Sequence, residues 1–178
     1  MDGAVTLAPR EAFEDRIVLD DAERPIEILH LGRANTDGDA IAWLPKQRVL
    51  VTGDIVVSPV PFGFGSYPAD WIMALRKLSA MDFGVLVPGH GEPQGDRSYL
   101  LKLIGLLEEV RRQVGPLASQ GLSLEEMRKK VDFSDHARTF VGDDPWMNLW
   151  FNDYWVTPIT KSAFKEARGE AIEQGLGG

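Results

Sequence analysis

Cysteine is absent from the 178-residue chain, and with it go disulfides, thiolate metal ligands and cysteine nucleophiles. Any metal bound here must be held by histidine, carboxylate, amide or water. Histidine is scarce as well: His30, His90 and His136 are the only three. No apolar run approaches the roughly 20 residues that cross a bilayer. Met1-Asp2-Gly3 does not open a charged-then-apolar signal sequence. These absences predict a soluble chain, cytoplasmic as written, with no membrane partner. A cationic surface is missing too. Lys+Arg number 19 against 27 Asp+Glu, a net charge of -8, so nucleic acid meets general repulsion unless a local basic patch offsets it. Arg111-Arg112 and Arg128-Lys129-Lys130 are too short for such a patch and read as solvated helix faces.

What is present suffices for a core: 44% of residues are hydrophobic, and tryptophan occurs five times. Residues 13–19, 26–31, 40–44 and 49–51 are short β-type runs bounded by Pro, Gly, Asp or Lys-Gln turns. The tight link at residues 45–48 predicts a hairpin between the last two. Val85-Leu86-Val87 is wholly apolar, as suits a strand covered on both faces. Pro68 opens a helix with Trp71, Ile72, Leu75 and Leu78 at helical spacing. A longer helix carries Leu100, Leu103, Ile104, Leu107, Val110 and Val114 in one stripe, with Gly115-Pro116 as its expected end. Ser123-Leu124-Glu125-Glu126 matches a capping box. The aromatic cluster from Trp146 to Trp155 reads as core or interface, followed by a polar helical tail from Thr160 that frays into Gly177-Gly178. Strands precede helices, which gives an α/β chain without a clear boundary, though residues 115–121 are a possible hinge.

The histidines divide. His30 sits inside an apolar strand and reads as a satisfied strand residue; His136, in Phe133-Ser134-Asp135-His136-Ala137, reads as a surface residue. His90 directly follows a buried-type strand, between two glycines, where strand ends of α/β sheets present functional side chains. Asp54 ends the run Val49-Leu50-Val51-Thr52-Gly53 in the same manner. Alone it reads equally as a turn cap. Paired with His90 on one rim, it supplies the oxygen and nitrogen that hold a divalent transition ion. The Pro/Gly/aromatic loop at residues 58–67 follows at once, with Phe62, Phe64 and Tyr67 as candidate substrate-pocket residues. A rigid packed connection is the other reading of this loop. Arg33 and Asp39 read as local turn or salt contacts.

In chain order, Gly32-Arg33-Ala34-Asn35-Thr36-Asp37-Gly38-Asp39, then Thr52-Gly53-Asp54, then Pro88-Gly89-His90-Gly91 resemble the C-terminal half of a metallo-β-lactamase-fold hydrolase. The resemblance covers residues 13–107. It implies the C-terminal half of a metallo-β-lactamase-type αββα sandwich with a helical C-terminal extension: residues 1–115 as the sheet and its helices, residues 116–178 as the extension packed on it. It further implies that Asp54 matches an aspartate bridging two metal ions, and that His90 matches the histidine completing the second site. Asn35 stands where the family carries a histidine ligand, so it is an altered and weak ligand position. The family's other ligands lie in a His-x-His-x-Asp-His motif of the N-terminal half, and that motif is absent from this sequence.

The implied cofactor is zinc or another divalent transition metal, retained or lost with these ligands. Zinc takes three or four protein ligands at about 2 Å, and the chain offers two strong donors and an amide. A full dinuclear centre, and the activated water it would hold, is therefore not expected of this chain alone. The function so implied is a metal-dependent hydrolase of a small-molecule substrate, present as a partial or degenerate chain and inactive in isolation. The alternative is a non-catalytic binding or assembly module that keeps the fold without the metal chemistry. A half-sandwich leaves a sheet face or edge uncovered, which predicts a homodimer or a complex with a complementary chain.

Overall fold

Short apolar runs separated by turn residues assemble into a sheet in the computed structural model, which describes residues 11–19 and 21–173. Met1-Asp2-Gly3 and Gly177-Gly178 lie outside the described residues. The strands are Arg16–Leu19 (β1), Ile26–Leu29 (β2), Ile41–Leu44 (β3), Val49–Val57 (β4) and Val85–His90 (β5), in the spatial order β1-β2-β3-β4-β5. The first four form an antiparallel meander. The predicted hairpin is β3–β4, with Leu44 opposite Val49. Helix α1, Pro68–Ala80, then carries the chain across one face so that β5 pairs with β4 in parallel, the connection parallel strands require.

Alternation along the strands sorts side chains to two faces. Ile41, Leu50 and Leu86 are 1%, 0% and 0% exposed and join the core, with Leu29 and Trp43 packed against it. Helix α1 contributes Trp71, Ile72, Leu75 and Leu78 to that core, and the Trp71 indole N–H donates to the Ile55 carbonyl at 3.0 Å. On the opposite face, register aligns Ile17, Ile28, Ala42, Val51 and Val87 in one row. Leu19, Ile26, Leu44, Val49 and Val85 form the next. Every one of these residues is apolar, none is buried, and the core on the helix side includes none of them.

Helix α2, Ser98–Ser119, buries the predicted stripe but passes the expected stop at Gly115-Pro116. Val114 and Ala118 are both buried, so the apolar face continues for another turn; proline this close to the helix end forfeits only one backbone bond. Helix α3, Leu124–Arg128, starts at the predicted capping box. The Ser123 hydroxyl oxygen accepts the Glu126 N–H at 3.2 Å, and the Ser123 N–H donates to Glu126 Oε2 at 2.9 Å. Helices α4, Ser134–Val141, and α5, Pro145–Trp150, lead into a π-helical segment, Phe151–Val156, and then α6, Thr157–Ala167. The predicted polar tail is in fact amphipathic: α6 buries Ile159, Ala163 and Phe164 in the common core. No helix among the described residues is long and apolar enough to cross a membrane.

The aromatic cluster splits across the π segment. Phe151 and Trp155 are 1% and 0% exposed, whereas Trp146 and Trp150 are 71% and 51% exposed. Trp155 meets Trp71 edge to face at 5.7 Å, tying the C-terminal helices to α1. Urea denaturation should therefore show Trp155→Ala losing about 3–5 kcal/mol, the usual cost of deleting a large buried aromatic. Ser123→Ala, which removes one cap, should lose about 1 kcal/mol.

Candidate functional site

The site begins with a mismatch between the two parallel strands. Val51 pairs with Val87, Gly53 with Pro88 and Val57 with His90, so β4 advances farther than β5 at each step. The surplus bulges out of β4, and a bulge of this kind re-aims a side chain beside a sheet. Asp54 sits in it. The sequence places Asp54 at a strand end, but Ile55, Val56 and Val57 continue β4 and are buried, so the aspartate projects from within the strand.

Glycine is required where the strands close up. Gly53 has φ 52°, a left-handed conformation costly for side-chain-bearing residues. A Cβ on Gly89 would stand 2.7 Å from the Gly53 carbonyl carbon and collide with the Asp54 carboxylate. A Cβ on Gly91 would stand 2.5 Å from the Ser58 carbonyl oxygen. The glycines around His90 thus exist because backbone and carboxylate occupy the space a side chain would need.

This packing brings Asp54 and His90 together. His90 Nε2 lies 3.6 Å from Asp54 Oδ1, with the side chains 60% and 45% exposed. The separation exceeds that of a good hydrogen bond, so the pair is two adjacent donors facing solvent and not a closed ion pair. Asn35, 9% exposed, reaches the same rim from below: its amide Nδ2 donates a long 3.4 Å bond to the Asp54 main-chain carbonyl. Its loop is fixed locally, by the Thr36 N–H donating to Asp39 Oδ2 at 2.7 Å and the Tyr67 N–H donating to the Ala34 carbonyl at 2.8 Å. Arg33 pairs with Asp70 at 2.7 Å, a local contact as the sequence suggested. His30 Nδ1 lies 2.7 Å from the Asp39 carbonyl and is satisfied there. His136 is half-buried on α4, farther in than a surface residue.

The donor set does not fit a complete metal centre. Among the described residues no group of three or more His, Asp and Glu is placed to hold an ion, and tetrahedral zinc needs at least three protein donors.

Beside His90 a cleft of about 230 Å³ opens, walled by Val57, Pro59, Val60, Phe62, Met147, Trp150 and Tyr154, with Ser58 at its edge. Phe62 lies 5.3 Å from the His90 ring and stacks on Tyr154 at 5.6 Å. The Tyr99 hydroxyl, buried and pushed well above the usual phenol range, donates to the Val57 carbonyl at 2.6 Å and braces the floor. Of the three pocket residues read from the sequence, Phe62 alone is on this wall. Phe64 backs Tyr154 edge to face at 5.7 Å. Tyr67 lies elsewhere, under the Arg33 guanidinium at 4.1 Å, because Ser66 is buried and turns the loop toward α1. Sequence reasoning missed Met147, Trp150 and Tyr154; the exposed aromatics after Trp146 were their only signal.

Comparison with known proteins agrees with this geometry. No family model matches the chain. It is 24% identical over 162 residues to the linear primary-alkylsulfatase of Pseudomonas sp. (strain ATCC 19151), covering 84% of this chain and 30% of that protein. It is 29% identical over 89 residues to the metallo-β-lactamase type 2 of Bacillus cereus, covering 47% of this chain and 34% of that protein. The solved structure of the stereoselective inverting sec-alkylsulfatase Pisa1 from Pseudomonas sp. superposes with a TM-score of 0.68 at 16% identity, over 89% of this chain and 26% of that one. By fold and by sequence relatives, the chain is a metallo-β-lactamase-fold protein. It spans about a third of the length of the curated relatives it matches.

Two glycine substitutions separate the close approach from ordinary helix effects. Gly89→Ala should cost about 1–3 kcal/mol by overpacking and displace the Asp54 carboxylate. Gly105→Ala, whose Cβ meets nothing within 4 Å in the interior of α2, should gain about 0.5–1 kcal/mol. Thermal denaturation of both variants checks the contrast.

Proposed function

We propose that this chain carries part of a metal-dependent hydrolase acting on a small molecule, and that Asp54 and His90 are two of the donors of its divalent metal site. The observation that supports this most is the 3.6 Å approach of His90 Nε2 to Asp54 Oδ1 at a solvent-facing rim. A zinc ion bound by enough protein donors lowers the pKa of its water toward neutrality. Two donors and an amide are too few, so the remaining ligands belong to polypeptide outside the described residues, and the chain alone is inactive. In the assembled site this chain's contribution is to fix one carboxylate oxygen and one imidazole nitrogen side by side. It also excludes water from an apolar cleft at His90, which holds the hydrophobic part of the substrate against Phe62 and Tyr154. Alkylsulfatase relatives favour a substrate with an apolar chain.

The uncovered sheet face supports an assembly. Two apolar rows, from Ile17 to Val87 and from Leu19 to Val85, are left facing water, and sheets of this kind pack face to face about 10 Å apart. A second copy or a complementary chain covers it. The non-catalytic reading draws on Asn35, whose amide is turned to main chain where a ligand would be wanted.

Metal content separates these readings. The isolated chain should bind zinc weakly and below one ion per chain, with Asp54→Asn or His90→Ala lowering the affinity at least tenfold; a fully folded chain indifferent to both substitutions would establish the non-catalytic module. Asn35→His should raise zinc affinity, and no gain would show that position 35 does not face the rim. In sedimentation at micromolar concentration the chain should run as a dimer or larger, and Val51→Lys should return it to a monomer. A monodisperse wild-type monomer would refute the assembly.

A further inference from the structure

A second cleft lies away from the Asp54–His90 rim, among α3, α4, the π segment and α6. It has a volume of about 340 Å³, within the range of small-molecule sites. Phe133 and Phe151, 5% and 1% exposed, form its apolar floor.

Its charged groups are of opposite sign and unjoined. Arg128 donates through Nε to Thr160 Oγ1 at 3.2 Å and through Nη2 to the Thr157 carbonyl at 2.6 Å. Those two bonds leave guanidinium N–H groups over, since arginine carries five. Burial lowers the pKa of this half-buried cation, and among the described residues no carboxylate lies within ion-pair distance of it. Asp132 lines the same cleft. Its Oδ1 accepts the Ser134 N–H at 2.9 Å, which holds the carboxyl below its usual range. A cation and an anion that share a cleft without neutralising each other are completed by a ligand bearing both charges. The carboxylate of that ligand meets the guanidinium fork, its ammonium meets Asp132, and its apolar body covers the phenylalanines.

We infer that this cleft binds a small zwitterion of the apolar α-amino-acid class. Isothermal titration of the 178-residue chain tests it with L-phenylalanine, with 3-phenylpropanoate, which lacks the ammonium, and with phenylalaninamide, which lacks the carboxylate. L-Phenylalanine should bind at least tenfold more tightly than either control and should shift the Phe133, Ser134 and Asn152 amide resonances. Arg128 also staples α3 to the π segment, so Arg128→Gln risks the fold. Asp132→Asn, which keeps an acceptor for the Ser134 N–H, should cost L-phenylalanine its advantage over 3-phenylpropanoate. Equal binding of all three compounds, no binding at about 10 mM, or an Asp132→Asn variant with the wild-type preference would each overturn the inference.

Discussion

The close parallel approach of β4 and β5 is the constraint on which the rest depends. Parallel pairing holds the two strands in step along Val49, Leu50 and Val51. Beyond Val51 the register slips, and the extra length of β4 emerges as the bulge at Asp54. The slip is tolerated because Gly89 and Gly91 leave room for the Asp54 carboxylate and the Ser58 backbone. Behind the bulge, Ile55 anchors the strand by accepting the Trp71 indole N–H, so α1 and the rim are set by one contact. A site built on strands in this way is held more firmly than one carried by a free loop.

The C-terminal helices extend the same logic to the cleft. Six residues of π-helix, Phe151–Val156, rotate the chain so that Phe151 and Trp155 face the core while Trp150 and Tyr154 face His90. π segments of this kind occur frequently at functional sites. The Gly63 N–H donates to the Tyr154 carbonyl at 2.8 Å, and a Cβ there would crowd Ile159 at 2.9 Å. Loop 58–67 and the π segment are thereby fixed to one another, which places Phe62 between the imidazole and Tyr154.

Much of this was legible in the sequence, for identifiable reasons. Helix α1 and the stripe of α2 follow from apolar spacing, α3 from its capping box, and the β3–β4 hairpin from its four-residue link. The importance of Asp54 and His90 follows from glycine-flanked positions after apolar runs. Other features depend on tertiary context. The passage of α2 through Pro116 is decided by the burial of Ala118, and the burial of α6 by its fit to α2, neither of which has a local signal. Tyr67 was misread because proximity in sequence to Phe62 says nothing about which way the loop turns at Ser66. Tyr154 lies 92 residues from Phe62 in the chain, and only the π segment brings the two rings together. The open sheet face was anticipated from what the sequence lacks, and the unbroken apolar rows locate it on the side away from the helices.

The convergence of Asp54 and His90 is tested most directly by nuclear Overhauser spectroscopy on the folded, metal-free chain. Cross-peaks from the His90 ring protons to the Asp54 β-protons and to the Phe62 ring are the predicted result. Their absence, with His90 contacting neither residue, would contradict the account at its root.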